Sequence, residues 1–332
     1  MPSPSRLILA PMEGLADDVL RDVLTSTGAY DWCVTEFVRV TGTVLPHGSY
    51  MRMSPELKLG SRTPTGTATR IQLLGSDPEM MARNAAHLAK LGPAGIDINF
   101  GCPAPLVNRH RGGAALLGEP ELLHAIVSAV RMAVPLEIPV SAKMRLGIDD
   151  TSRALECACA LAEGGAESLV VHARTRQDGY KPPARWEWLA RIRDTLQIPL
   201  IANGEVWTLD DYIGIRAICG CEDVMLGRGA VADPLLATRI RTWLKSGARP
   251  NPAQADWDDI CSLIARFWLL VNRKLPAQHT PGRLKQWLGL MRRNYPQAEA
   301  LYRALREMRS AVAIDGVLHA HGIDVASGRV AA

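Results

Sequence analysis

A single cysteine in a short polar loop is the residue of this chain whose surroundings best suit chemistry. Cys102 follows the apolar run 95–98 and lies between Asn99 and two arginines, Arg109 and Arg111. The polar and glycine residues after the run end it, which places the thiol in a loop beside positive charge. Such a thiol can be offered to an anionic substrate. The alternative is a small apolar residue that packs at a strand end.

The elements that must position this loop form a repeating pattern. Short apolar strands alternate with helical patterns up to about residue 246, which is typical of βα units on a parallel sheet. Eight such units predict an α/β fold of the closed (β/α)8 barrel type. The predicted strands are Leu7–Ala10, Trp32–Thr35, Thr69–Leu73, Gly95–Asn99, Val140–Lys143, Ser168–His172, Leu200–Asn203 and Asp223–Gly227. The predicted helices between them include Pro78–Leu91, Pro120–Val134, Arg153–Glu163 and Leu209–Cys219.

Active sites of this barrel type lie at the C-terminal ends of the strands. Polar or otherwise useful residues follow most of the predicted strands, so we expect them to gather at one mouth. They are Pro11, Met12, Glu13, Gln72, Asn99, Lys143, His172, Arg174, Asn203, Gly204, Glu205, Gly227 and Arg228.

The ends of the last two strands and of the fifth carry the clearest chemical signals. The glycines of segments 203–205 and 227–229 offer backbone N–H groups where loops of this fold commonly bind phosphate. Each glycine pair alone is more typical of a tight turn. Lys143 suits the electron-rich end of a flavin ring, and the alternative is a lysine paired with a buried carboxylate.

Two connections interrupt the regular pattern. Residues 36–68 form a predicted loop of thirty-three residues with several cations, either a substrate-binding flap or a solvated insertion. Residues 175–185 contain Tyr180 between Arg176 and Lys181, which could stack on a base or cover the core.

Composition and charge bound the remaining possibilities. Seven cysteines without zinc-site spacing, and no signal-peptide or membrane-spanning pattern, favour a cytoplasmic protein without a metal.

The charge is unevenly distributed along the chain. Residues 1–265 carry 27 Lys and Arg against 30 Asp and Glu, whereas residues 266–309 carry 10 against 2. Such an excess of cations favours binding of a polyanion such as nucleic acid. The alternative is a basic helical face that only contacts solvent.

The basic region coincides with a change of pattern. Pro250 and Pro252 predict a linker, and three helices follow it. We therefore predict a catalytic barrel domain over 1–247, a helical domain over 253–314 and an unassigned tail over 315–332. The three predicted helices are Ala255–Val271, Gly282–Asn294 and Pro296–Ala313.

Several segments together resemble one known family. LAPMEG, TEFVR, IQLLG, DINFGCP, SAKMRLG, VVHART, IANGE and VMLGRGA occur in order along the chain and are similar to the tRNA-dihydrouridine synthases. The APMEG start, the context of Arg39 and the segment RLKQWLG are most similar to the bacterial C-type branch, which reduces uridine 16 of the tRNA D-loop.

The resemblance implies a flavin barrel followed by an RNA-binding helical domain, with FMN as cofactor and NADPH as reductant. It implies that Cys102 protonates C5 of the uracil while hydride reaches C6. The implied FMN contacts are Pro11, Met12, Glu13, Gln72, Lys143, His172, Asn203, Gly204, Glu205, Gly227 and Arg228. The implied uracil and tRNA contacts are Arg39, Asn99, Arg174, Tyr180, Arg283 and Lys285.

Two other functions compete with this interpretation. A dihydroorotate-dehydrogenase-like enzyme would act on a free pyrimidine with similar chemistry, but it would not need the basic C-terminal helices. A tRNA-binding protein without catalysis would not need Cys102 or Lys143, and both are present. Because the basic face would repel a second copy, we expect a monomer.

Overall fold

Eight parallel strands close into a barrel in this computed structural model, which describes residues 5–249 and 256–325. Each strand pairs with the next along the chain, and the eighth pairs with the first, so the predicted (β/α)8 barrel is confirmed. The strands are β1 (Leu7–Leu9), β2 (Trp32–Arg39), β3 (Ala68–Leu74), β4 (Ile96–Phe100), β5 (Val140–Arg145), β6 (Ser168–His172), β7 (Leu200–Asn203) and β8 (Asp223–Leu226).

Apolar side chains cluster within the barrel. Successive side chains of a strand point to opposite faces, so every second residue faces the interior. The interior set forms one buried group of Ile8, Ala10, Trp32, Val34, Val170, Ile201 and Met225. Because these strands are buried on both faces, they read as nearly continuous apolar runs, which explains why the sequence predicts their positions closely.

Helices follow most of the strands. Those up to residue 246 are α1 (Asp18–Thr25), α2 (His47–Met53), α3 (Pro78–Ala89), α4 (Pro105–Arg109), α5 (Pro120–Ala133), α6 (Ala154–Glu163), α7 (Trp186–Thr195), α8 (Leu209–Cys219), α9 (Arg228–Ala232) and α10 (Leu236–Ser246). Those beyond it are α11 (Asp256–Lys274), α12 (Thr280–Met291), α13 (Pro296–Leu305) and α14 (Ala311–Ala320). Within the described residues, 3-10 helices also cover Pro55–Leu59 and Gly113–Gly118.

Helix α3 illustrates how the local sequence sets a helix start. Its first residue is Pro78, which has no N–H to satisfy and a preset φ. The carboxylate of Asp77 accepts hydrogen bonds from the backbone N–H groups of Glu79 and Met80 at 2.9 and 3.2 Å. This cap satisfies two N–H groups that the helix itself cannot pair.

The predicted loop over residues 36–68 is wrong. Strand β2 continues to Arg39, and α2 and the first 3-10 helix occupy much of the segment between β2 and β3. The pairing of β2 with β3 shifts register between Val34 and Phe37. A bulge of this kind interrupts the alternation of side chains, so the pattern gave no sign that the strand continued.

The chain divides into two units, which we call the barrel unit and the helical unit. The barrel unit contains residues 5–18, 30–206 and 210–227, and the helical unit contains residues 19–29, 207–209, 228–249 and 256–325. The domain limits 1–247, 253–314 and 315–332 stay predictions. The linker residues Pro250 and Pro252, the helix start Ala255 and the end of the tail from residue 326 lie outside the described residues.

One predicted helix of the helical unit is wrong. The pattern predicts a single helix over Pro296–Ala313, but α13 ends at Leu305 and α14 begins after Ser310. The Ser310 side chain caps α14 by accepting from the N–H of Ala313 at 3.4 Å. Since serine also occurs inside helices, this cap is visible only once the helix start is known.

Aromatic residues hold the helical unit together. The rings of Phe267 on α11 and Trp287 on α12 meet edge to face at 4.7 Å between centroids. The indole N–H of Trp268 donates to the carboxylate of Asp315 at 2.5 Å, which ties α14 to α11. Among the described helices, none combines the length and the apolar character needed to cross a membrane.

Candidate active site

The residues predicted at the mouth of the barrel lie at the C-terminal ends of its strands. Gln72 is on β3, Asn99 on β4, Lys143 on β5, His172 on β6 and Asn203 on β7. Parallel strands in one closed barrel present these ends on the same side, so the five residues face one mouth. Pro11, Met12 and Glu13 follow β1, and Gly227 follows β8.

A chain of hydrogen bonds links three strands beneath the Cys102 loop. The amide N–H of Asn99 donates to the amide oxygen of Gln72 at 2.7 Å, and the amide N–H of Gln72 donates to the carboxylate of Asp97 at 2.7 Å. Ser141 donates its hydroxyl to the same carboxylate at 2.7 Å. Register explains these contacts, because Gln72 and Ser141 both lie directly opposite Asp97 on the neighbouring strands.

Cys102 is buried and lies two residues beyond β4. Its side chain packs with Leu74 and Val107, and 9% of the residue is exposed. Burial raises the pKa of the Cys102 thiol, while a hydrogen bond from the backbone of Ala104 opposes the rise and the nearby charge of Glu13 adds to it. The thiol is therefore protonated at neutral pH and can serve as a proton donor.

Hydrogen bonds to its backbone N–H and carbonyl groups hold the Cys102 loop in place. The N–H groups of Gly101 and Cys102 donate to the amide oxygen of Asn99, both at 2.9 Å. The Cys102 carbonyl accepts from Asn108 at 3.0 Å and from the N–H of Ala114 at 3.0 Å.

Gly113 lies directly against the same residue. Its φ is +58°, in the left-handed region, and a Cβ at this position would lie 2.8 Å from the Cys102 carbonyl oxygen. Only glycine fits both the backbone angle and the space.

Lys143 is half-buried, and its ammonium donates to the amide oxygen of Asn203 at 3.1 Å. Burial lowers its pKa to about 8, with a further contribution from Arg145, while Asp97 raises it. Among the described residues no carboxylate forms an ion pair with this ammonium, which disfavours the alternative of a carboxylate-paired lysine. The site therefore holds a cation whose nearest partner is a neutral amide.

The ends of β6 and β7 lie against each other. Gly204 has a φ of +120°, and a Cβ there would lie 2.8 Å from the ring of His172. Arg174 is buried and pairs with the carboxylate of Glu205. Its guanidinium also contacts the His172 ring at 3.2 Å and donates to the Lys181 carbonyl at 2.9 Å.

Arg145 is a further site residue, which the sequence patterns did not predict. It is buried, and it donates to the carbonyls of Gly101 at 2.9 Å, Thr175 at 2.9 Å and Gly179 at 2.8 Å. Its guanidinium also lies 5.2 Å from the ring centroid of Tyr180. Arg145 thus connects the Cys102 loop to the loop after β6. One feature of the sequence could have identified it: Arg145 lies two residues after Lys143, so it shares the face of Lys143 if β5 continues beyond Lys143.

Tyr180 presents an aromatic surface at the mouth. It is 53% exposed, and its ring lies 6.2 Å from the His172 ring. An exposed ring can stack on a base, which favours the binding interpretation over a buried cover of the core.

Arg39 and the segment after β1 lie on the barrel unit too. Arg39 is the last residue of β2 and is half-buried. Glu36, three residues earlier, accepts from the N–H of Gly14 at 2.5 Å. Glu36 therefore positions the turn that follows Pro11, Met12 and Glu13, a role for which the sequence offered no signal.

Arg228, Arg283 and Lys285 belong to the helical unit. Arg228 begins α9, and its guanidinium lies 5.2 Å from the Trp207 ring centroid. Arg283 stacks on Phe267 at 5.9 Å and contacts Gln286. Lys285 donates to the carbonyls of residues 306 and 308 at 3.0 and 2.6 Å, so it also caps the C-terminal end of α13.

The chain matches a family model described as dihydrouridine synthase over residues 8–314. It is 57% identical over 314 residues to the tRNA-dihydrouridine(16) synthase of Ralstonia nicotianae, covering 95% of each chain. It is 56% identical to the tRNA-dihydrouridine(16) synthase of Cupriavidus necator, covering 95% of this chain and 96% of the relative. It is 52% identical to the Pseudomonas putida protein of the same name, covering 94% of this chain and 96% of the relative.

Solved structures share the fold at low sequence identity. An old yellow enzyme homologue from Zymomonas mobilis matches with a TM-score of 0.50 and 12% identity, covering 76% of this chain and 92% of that one. A 2-naphthoyl-CoA reductase complex matches with a TM-score of 0.52 and 11% identity, covering 71% and 50%. At such identities the likeness concerns the barrel fold.

The first prediction concerns the close approach of Gly113 to Cys102. Gly92 has a similar φ of +63° with open space around its Cα, so it is the matched control. We expect Gly92→Ala to lower the free energy of unfolding by about 1–2 kcal/mol through backbone strain. Gly113→Ala should cost about 1–3 kcal/mol more, because its methyl group also displaces Cys102. Chemical denaturation of both variants measures the difference, and equal losses would contradict the steric role of Gly113.

The second prediction concerns the charge of Lys143 in flavin-free protein. Its pKa is about 8 in the folded chain, against the ordinary lysine value of 10.5, so between these values the unfolded chain binds the proton more strongly. Wild-type stability should therefore rise with pH through this window relative to Lys143→Met. Near neutral pH the variant should be more stable by about 1–2 kcal/mol, after the lost bond to Asn203 is subtracted.

Denaturant unfolding of both proteins from about pH 7 to about pH 10 tests this sign. The groups that face Lys143 are Asp97, Arg145 and Asn203, and the variant leaves all three in place. If the free energy of unfolding changes with pH in the same way for wild type and variant, burial of the charged Lys143 does not destabilise the fold, and the prediction is wrong.

Proposed function

Because the chain belongs to the dihydrouridine synthase family, we propose that it reduces the C5=C6 bond of uridine 16 in the tRNA D-loop, with FMN as its flavin and NADPH as the reductant. The observation that carries the proposal is the buried thiol of Cys102 at the barrel mouth, whose pKa is raised by burial, in a chain that shares about half of its residues with relatives named for this position. A tRNA substrate also implies the cytoplasm as its compartment, and the monomeric state stays a prediction.

The residues at the mouth fit a flavin. Lys143 offers a cation that only an amide engages among the described side chains, which suits the negative charge of a reduced flavin. The side-chain amides of Gln72 on β3 and Asn203 on β7, and the backbone of Gly204, supply further hydrogen-bonding groups at the mouth. We assign flavin binding to Pro11, Met12, Glu13, Gln72, Lys143, His172, Asn203, Gly204, Glu205, Gly227 and Arg228.

When bound, the flavin supplies hydride for C6 of the uracil, and NADPH restores its reduced form. Cys102 donates its Sγ proton to C5, so one hydride and one proton together saturate the double bond. The raised pKa of the thiol supports this role, because the proton is present at neutral pH. Asn99 holds the backbone of Cys102 in place while the proton is transferred.

We assign uracil and tRNA binding to Arg39, Asn99, Arg174, Tyr180, Arg283 and Lys285. The exposure of Tyr180 supports a stacking contact with RNA. Arg174 contacts Glu205 and His172, and these contacts support a guanidinium that is fixed in place to orient the pyrimidine edge. The excess of cations over residues 266–309 supports binding of a polyanion rather than of a free pyrimidine.

The third prediction tests reaction and position together. Purified protein is incubated with NADPH and tRNA that lacks dihydrouridine, and each D-loop uridine is then examined for reduction. We expect dihydrouridine at position 16 alone. Reduction at another position would keep the reaction and reject the position. A bound flavin that free pyrimidines oxidise, without any change in tRNA, would instead support the dihydroorotate-dehydrogenase-like alternative.

The fourth prediction concerns Cys102 as proton donor. Cys102→Ala should bind flavin and accept hydride from NADPH at a rate within about twofold of wild type, because the thiol takes no part in that step. Reduction of tRNA should fall by about a hundredfold or more. Rapid-mixing absorbance measures the first step, and dihydrouridine formation measures the second.

The matched control is Cys159→Ala on α6, which removes a half-buried thiol outside the mouth. It should leave both steps unchanged. Full turnover by Cys102→Ala would remove the thiol from the mechanism.

A further inference from the structure

Asp97 is a buried carboxylate that takes no direct part in the proposed reaction. It lies on β4, two residues before Asn99, and 1% of it is exposed. Burial raises the pKa of Asp97, whereas the hydrogen bonds from Gln72 and Ser141 and the charges of Lys143 and Arg70 lower it. Burial of a carboxyl group costs free energy unless the group is hydrogen-bonded. The hydrogen bonds from Gln72 and Ser141 therefore offset the cost of burying Asp97.

Both hydrogen-bond partners of Asp97 donate to it. Oδ2 of Asp97 accepts from the amide N–H of Gln72, and its Oδ1 accepts from the hydroxyl of Ser141, so the N–H end of the Gln72 amide faces Asp97. The amide oxygen of Gln72 then remains for the N–H of Asn99. The oxygen of Asn99 in turn remains for the backbone N–H groups of Gly101 and Cys102.

A side-chain amide has one donating end and one accepting end, so reversal of one amide forces reversal of the next. If Asn99 were reversed, its amide N–H would face the N–H groups of Gly101 and Cys102, and all three would be donors. Buried donors without acceptors are costly, so the loop would leave its position. The direction of the chain therefore decides whether the Cys102 loop is held.

We propose that Asp97 is a positioning residue: by accepting from Gln72, its carboxyl group sets the direction of the Gln72 and Asn99 amides and thereby holds the Cys102 loop. Its link to catalysis rests on the proposed function, because it matters for turnover through the proton donor. Its link to the loop is a property of the folded chain.

Exchange of donor and acceptor between two residues tests the proposal. In Gln72→Glu, two carboxylates face each other and neither has an N–H to donate. In the double variant with Asp97→Asn, the new amide can donate to Glu at position 72, which still accepts from Asn99. The second change should therefore rescue the first, as in a double-mutant cycle.

The readout is hydrogen exchange of the Cys102 backbone amide in flavin-free protein, resolved by residue, with thermal unfolding recorded in parallel. Gln72→Glu should speed this exchange by about tenfold or more, since a buried hydrogen-bond chain is broken. The double variant should return to within about threefold of wild type. Asp97→Asn alone should lie between them, because its amide can be placed in either direction.

Ser141→Ala is the matched control. It removes the other donor to Asp97 but leaves the bond to Gln72, so exchange at Cys102 should change by less than about twofold. If the Gln72→Glu chain does not fold, the double variant is compared with Asp97→Asn, and it must protect the Cys102 amide at least as well.

Two outcomes would overturn the proposal: unchanged exchange at Cys102 in all the variants, or a double variant whose exchange equals the combined effect of the two single changes. The readout uses neither flavin nor tRNA. A wild-type protein that fails to reduce uridine would therefore reject the proposed function and leave the positioning role of Asp97 intact.

Discussion

The polar side chains inside a closed barrel have mainly one another as partners, and this constraint governs the candidate site. Gln72, Asp97, Asn99 and Lys143 face the interior from three adjacent strands. A buried polar group without a partner is costly, so each donor must meet an acceptor across the register. The hydrogen-bond chain that ends at the backbone of Cys102 is the arrangement that meets this requirement. Strand register and chemistry are therefore coupled.

The strands and the mouth could be predicted because parallel strands buried on both faces produce apolar runs that stop where polar residues begin. The partners of Asp97 could not be predicted in the same way. Asp97 lies inside the apolar run of β4, and its contacts with Gln72 and Ser141 depend on which residues lie opposite one another. Residues 25 and 44 positions apart meet through register, which a single sequence does not specify.

Strand length and charge partners caused the other failures. When β5 is read as ending at Lys143, Arg145 falls outside it, although Arg145 bonds to carbonyls of two different loops. Charge counting finds the basic C-terminal region, but it cannot tell which cations already have partners. Lys285 donates to two carbonyls at the end of α13, so it is part of the fold of the helical unit as well as a candidate for RNA contact.

The two interpretations of Cys102 turn out to be compatible. A thiol packed against Leu74 and Val107 is a small apolar residue at a strand end, and the same packing raises its pKa and keeps its proton. Were the thiol exposed beside Arg145, its thiolate form would be favoured and the proton would be lost more readily. Burial thus supplies the protonated state, and the main-chain bonds of the loop supply its position. A proton donor for carbon needs both, since neither alone brings a thiol S–H to the reacting atom.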